Sequence, residues 1–234
     1  MSIALLCFLG LMHQAPPPAP PESLREYMGM VMTYYQKPDA AKLKAFAVAF
    51  FKPETVSHPF FAAKPDVQQN VAVFFGIVGQ GAPELVRHYE ALWDQTSDPG
   101  RRLLITVLRG CGDEKTLAAL ANWQQGASPI LAKELEQLAV SLKSEKRPRP
   151  SDQPARTPQD LDQCWMQFFA TGQFEGPARV LDAIDGDNLV MSETAKWSFK
   201  SLCTQHPQLA KLAKDALGKR QGASKQFLEE ILSK

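Results

Sequence analysis

The sequence predicts an all-α fold of stacked antiparallel helical hairpins, with an irregular helical bundle as the alternative. Three observations carry this. First, a helix-start signal recurs along the chain: Lys37-Pro38-Asp39, Lys64-Pro65-Asp66, Gly81-Ala82-Pro83-Glu84, Ser97-Asp98-Pro99, Gly112-Asp113-Glu114, Thr157-Pro158 and His206-Pro207. Pro suits the first turn of a helix, where its missing N–H would be unpaired anyway. Asp, Ser and Thr accept hydrogen bonds from the free N–H groups there. Second, each signal is followed by apolar residues at helical spacing. Third, no run alternates apolar and polar residues with β-branched enrichment, as a half-buried strand would.

The elements follow in order. Leu24, Tyr27, Met28, Val31, Met32 and Tyr35 mark a first amphipathic helix that ends near Pro38. Leu43, Phe46, Ala47, Phe50 and Phe51 mark a second, stopped by Pro53; a looser segment with His58-Pro59-Phe60-Phe61 follows. Val67, Val71, Phe74, Phe75 and Val78 form a third stripe, closed by Gly79 and Gly81. Leu85 to Trp93 gives a fourth, Leu103 to Cys111 a fifth, Leu117 to Trp123 a sixth and Leu131 to Leu142 a seventh.

Residues 144–158 read SEKRPRPSDQPARTP, with four Pro and almost nothing apolar, so a linker is predicted. It divides a helical region over 23–143 from another over 159–234. In the second, Leu161, Cys164, Trp165, Phe168 and Phe169 form a full helical stripe, with Trp165 as core. Thr171-Gly172 supplies a left-handed stop. Helices are expected over Phe174–Ile184, Glu193–Thr204, Gln208–Leu217 and Ser224–Leu232, with Asp185-Gly186-Asp187-Asn188 as a turn.

Between Asp66 and Asp113 the start signals come about sixteen residues apart. Two such units give roughly the 33–40 residues of a helical-hairpin repeat. The segment from Ser97 to Trp123, SDPGRRLLITVLRGCGDEKTLAALANW, resembles one unit of the HEAT/TPR-like class: a capped helix, a Gly-containing turn, a second helix. It covers about a tenth of the chain. The stretch Leu161 to Leu217, with DQCWMQFFATG and AKWSFKSLCTQHP, is similar to uncharacterised bacterial exported proteins. The resemblance implies an α-solenoid-like stack whose extended face contacts a protein or peptide. It implies no activity.

The chain has 234 residues, 44% of them hydrophobic, and a net charge of +1 at pH 7. It can bury a core, and it carries no overall field that would attract nucleic acid. Residues 3–12, IALLCFLGLM, are an uncharged apolar run. A signal peptide is therefore expected over 1–15, followed by a Pro-rich spacer over 16–22. The run is too short to span a bilayer, so no integral membrane segment is expected after its removal. Periplasmic or secreted location follows. The alternative is a cytoplasmic adaptor whose first residues fold as a helix, and N-terminal sequencing of the mature protein separates the two. A lipid anchor at Cys7 is a further option.

Chemistry is sparse. His13, His58, His88 and His206 stand in no metal-binding spacing. His58 and His206 precede Pro and read as turn residues; His88, beside Arg87 and Glu90, reads as a solvated helix face. Asp182, Asp185 and Asp187 surround a Gly, but Leu189 stands where a calcium loop needs an oxygen, so a turn is preferred. Cys111, Cys164 and Cys203 read as buried thiols, with a Cys164–Cys203 bridge as the alternative. No nucleophile, phosphate or dinucleotide motif is present. A non-enzyme without cofactor or metal is expected, its partner a protein or peptide. The competing reading is an all-α enzyme with dispersed acid–base residues, which predicts a pocket holding perturbed carboxylates or His. Adjacent aromatics diverge by about 100° on a helix, so one of each pair can face a groove. Tyr34, Phe51, Phe61, Phe75 and His88 are the candidate interaction surface.

Overall fold

The chain turns into helix wherever the start signals stand, and no strand occurs among the described residues. The computed structural model describes residue 19 and residues 22–143 and 148–233. The signal peptide expected over 1–15, Cys7, the spacer apart from Ala19 and Glu22, and linker residues 144–147 lie outside them. The helices are α1 (Glu22–Thr33), α2 (Ala40–Phe51), α3 (Pro53–Val56), α4 (Pro59–Ala63), α5 (Pro65–Gly79), α6 (Pro83–Glu90) and α7 (Asp98–Cys111). They continue with α8 (Glu114–Gln124), α9 (Pro129–Leu142), α10 (Pro158–Thr171), α11 (Glu175–Ile184), α12 (Leu189–Gln205), α13 (Pro207–Leu217) and α14 (Gly222–Leu232).

The start signals act through the chemistry that predicts them. Asp39 accepts from the Lys42 N–H at 2.9 Å and opens α2. Asp113 accepts from the N–H groups of Lys115 and Thr116, while Thr116 Oγ1 accepts from the Asp113 N–H. Thr157 and Asp160 form the same reciprocal cap on α10. Pro65, Pro83, Pro158 and Pro207 occupy the first positions of their helices. Gly172, at φ 68°, ends α10 in the left-handed conformation. The looser segment near His58 is two short helices, α3 and α4, and His58 Nδ1 accepts from the Phe60 N–H at 3.2 Å.

α5 is the spine. It packs most extensively on α7, where Gly76 and Gly110 bring the two backbones together, and next on α10. α7 carries α9 and α9 carries α8. On the other side α10 carries α11 and α11 carries α12, with α13 and α14 beyond. A strictly sequential stack would seat α10 on α9; the chain instead returns and lays α10 on α5 and α1. Helices on both sides of the linker therefore share one apolar core, running from Leu24 to Leu228. Trp165 is part of it, and its Nε1–H donates to Ser198 Oγ at 3.2 Å. Trp93 and Trp123 stack at 4.4 Å with 11° between planes, under the Arg101 guanidinium.

The second half of the linker is docked. Gln167 is buried on α10 and needs partners for its amide. Ser151 supplies both: its N–H donates to Gln167 Oε1 at 3.0 Å, and its Oγ accepts from Gln167 Nε2 at 2.9 Å. Arg179 on α11 donates to the Ser151 carbonyl at 2.7 Å, and Arg149 donates to Gln80 Oε1 at 3.2 Å.

Candidate functional site

The structure overturns the expected interaction surface. Tyr34, Phe51, Phe61 and Phe75 are all buried. Phe75 meets the rings of Phe46 at 4.9 Å, Phe50 at 5.9 Å, Phe51 at 6.0 Å and Tyr89 at 5.6 Å. Tyr34 stands edge-on to Phe74 at 5.5 Å, and Phe61 edge-on to Phe50 at 5.8 Å. Adjacent aromatics do diverge around the helix, but α5 has neighbours on both sides, so each direction points into protein. A local signal was available. In α2, AAKLKAFAVAFF, the apolar residues outnumber what one face needs, and Leu43, Phe46, Ala47, Phe50 and Phe51 all turn into the core while Lys42, Ala45 and Val48 stay exposed. His88 is half-buried, not solvated, and its Nε2 lies 3.1 Å from the Lys44 carbonyl, tying α6 to α2.

His206 does more than turn the chain before Pro207. It is buried against the rings of Phe168 and Phe169, at 5.7 Å and 5.4 Å, and its Nδ1 lies 3.1 Å from the Tyr35 hydroxyl. With Tyr35 donating, the ring proton sits on Nε2, which is buried without a hydrogen-bond partner. Burial lowers its pKa from the ordinary 6.5. The neutral ring is the native form, so its contribution is whole above 6.5 and is lost as pH falls through the lower native value. Wild type should therefore lose more stability on acidification from neutral to mildly acid pH than His206→Phe, read by urea unfolding. Equal losses would refute this.

Asp185, Gly186 and Asp187 form the turn that follows α11, and the carboxylates of Asp182, on α11, and Asp185 reach residues distant in sequence. Asp185 Oδ1 accepts from the Ser224 N–H at 2.8 Å and Oδ2 from its hydroxyl at 2.6 Å, capping α14 from thirty-nine residues away. Asp182 is held by Arg179 at 3.0 Å and by Arg220 from the α13–α14 turn. Cys164 and Cys203 stand as separate thiols, each with its pKa pushed up to about 12 by burial. Cys111 Sγ donates to the Val107 carbonyl at 3.3 Å. Neither Cys164 nor Cys203 has the thiolate character a nucleophile needs.

Two surface features remain. One is an open groove of roughly 600 Å³ between α11 and α13, floored by Phe174, Leu212 and Ala216 and edged by Asp215 and Lys219. Its other carboxylates, Asp182 and Asp185, are engaged as above. The second is the outer face of α12. Leu189 is 73% exposed, Val190 65% and Trp197 51%. Val190 and Trp197 are seven residues apart and share one face of the helix. Sequence reasoning passed over Trp197 because it is one polar-flanked aromatic in AKWSFKS, while its neighbours Ala195 and Phe199 are core. Among the described residues, no group of three or more His, Cys, Asp or Glu is placed to hold a metal ion. No helix there is long and apolar enough to cross a membrane.

No protein-family model, curated protein or solved structure matches the chain.

Proposed function

We propose that this chain is a non-catalytic helical protein that binds another protein or a peptide, and that the partner seats on the outer face of α12. The observation that carries the reading is the exposure of Trp197 together with Val190 and Leu189. Single exposed apolar residues are ordinary, but an exposed Trp, with Val190 two turns away on the same helix face, is the residue type that dominates binding energy at interfaces. Placement of the titratable groups supports the reading too. The buried His206 and the half-buried Asp162, both shifted in pKa, lie between helices and not in the α11/α13 groove.

The test separates binding from folding. Trp197 is half in water, so Trp197→Lys should change the unfolding free energy by under about 0.5 kcal/mol. In affinity capture from a native extract with the full chain as bait, it should weaken retention of the partner at least about thirtyfold, a loss of about 2 kcal/mol. Partners retained equally by wild type and variant would refute the α12 site.

A further inference from the structure

α5 and α10 form the main joint between the helices before and after the linker. Asn70 on α5 is 3% exposed, and its Nδ2 donates to Asp162 Oδ2 on α10 at 3.3 Å. Its Oδ1 is buried with no hydrogen-bond partner. A carboxylate offers only acceptors, so ionised Asp162 can take the amide N–H but has nothing to give the carbonyl beside it. A neutral carboxyl carries one donor and one acceptor, the complement of the amide. A second bond, from the hydroxyl of neutral Asp162 to Asn70 Oδ1, would close the pair in both directions and remove the cost of a buried polar group without a partner.

We infer that Asn70 and Asp162 form a proton-operated latch between α5 and α10, shut when Asp162 is a neutral acid and slackened when it ionises.

The charges around Asp162 favour the neutral form. From α5, Asp66 bears on it with the same sign. On α10 itself, Asp160 is taken by the N–H groups of Arg156 and Thr157. In the Pro150–Asp152 turn, Asp152 accepts from the Arg149 N–H. Arg179 on α11 is held by Asp182 and the Ser151 carbonyl. Arg25 and Glu26 on α1 are exposed, with Glu26 reaching Lys42, and Glu193 on α12 pairs with Lys196. Among the described residues no ion pair reaches Asp162. Burial, and less strongly Asp66, raise its pKa from 3.8 to about 7, against the opposing hydrogen bond from Asn70. Because the native value is the higher one, the contribution is whole below 3.8 and is lost as pH rises through about 7. This runs opposite to His206.

Urea unfolding of the full chain and of Asp162→Asn, across mildly acid to mildly alkaline pH, tests the latch. An amide at position 162 has a donor and an acceptor at every pH, so the variant stays shut. The ratio of wild-type to variant unfolding constants should climb about tenfold per pH unit between about pH 4.5 and 6.5, the slope of one proton, and level off above about 7.5. A ratio that does not change with pH overturns the proposal. Wild type alone gives a second reading, through the carboxyl carbon resonance of Asp162 and amide exchange along α10. Titration near 7, with faster exchange above it, supports the latch. Titration near the ordinary carboxylate value, or exchange that ignores the titration, overturns it.

Discussion

Phe75→Ala should cost about 4 kcal/mol of folding stability, the usual loss for emptying a fully buried Phe site. Phe75 has no exposed surface, and its ring lies within about 6 Å of five other aromatic rings: Phe46, Phe50, Phe51, Phe74 and Tyr89. Edge and tilted ring contacts add to the lost apolar burial, and a cluster fed by several helices cannot collapse into the gap without moving them. Set against a total of about 5–15 kcal/mol for a typical protein, this is a large fraction. For a chain of this size the loss corresponds to roughly 8–16 °C in Tm. Val48→Ala, on the exposed side of the same α2, should change stability by under about 1 kcal/mol and serves as the control. Thermal unfolding of the two variants decides the matter. A Phe75→Ala loss below about 1 kcal/mol would return Phe75 to the surface and undo the layer order around α5.

Gly176→Ala should destabilise the protein by about 2 kcal/mol or more, although Ala is the better helix former. A Cβ at Gly176 would fall inside the Cys164 carbonyl oxygen and within 3.1 Å of its carbon. That neighbour is α10 backbone, so α11 must move away from α10, and overpacking of this kind costs about 1–3 kcal/mol or more. The helix-propensity gain of at most about 1 kcal/mol does not offset it. Gly29→Ala makes the comparison. It sits on α1 with nothing within 4 Å of the added carbon. There the same substitution should stabilise by about 0.5–1 kcal/mol. Opposite signs at the two positions, measured by urea unfolding, are the expected result. Equal signs would mean that α10 and α11 are not in backbone contact.

Helix positions were legible because their causes are local. The Asp39, Asp113 and Thr157 caps and the first-turn prolines act on N–H groups within three residues, and the structure uses each one. Gly172 adopts positive φ where the Thr171-Gly172 stop predicts it. The burial of both members of an aromatic pair was not legible, because local sequence does not record how many neighbours a helix has; Phe74 and Phe75 lie on α5, which packs on both α7 and α10. The candidate site was less legible still. Trp197 lies in a segment whose periodicity mixes core and surface, with Ala195 and Phe199 buried beside it.

The sequence by itself determined an all-α chain, most of its helix starts, and which residues are apolar enough to be core; α12 begins at Leu189, four residues before the expected Glu193, and the loose segment near His58 is two short helices. Caps, Pro and periodicity act over one or two turns, so no partner is needed to read them. Tertiary structure alone decided that α10 returns to α5, that Asp185 caps α14 across thirty-nine residues, and that Asn70 meets Asp162 across ninety-two. It also left the α12 face uncovered. Burial, and every pKa shift that follows from it, depends on which elements meet in space, and local sequence carries no record of that.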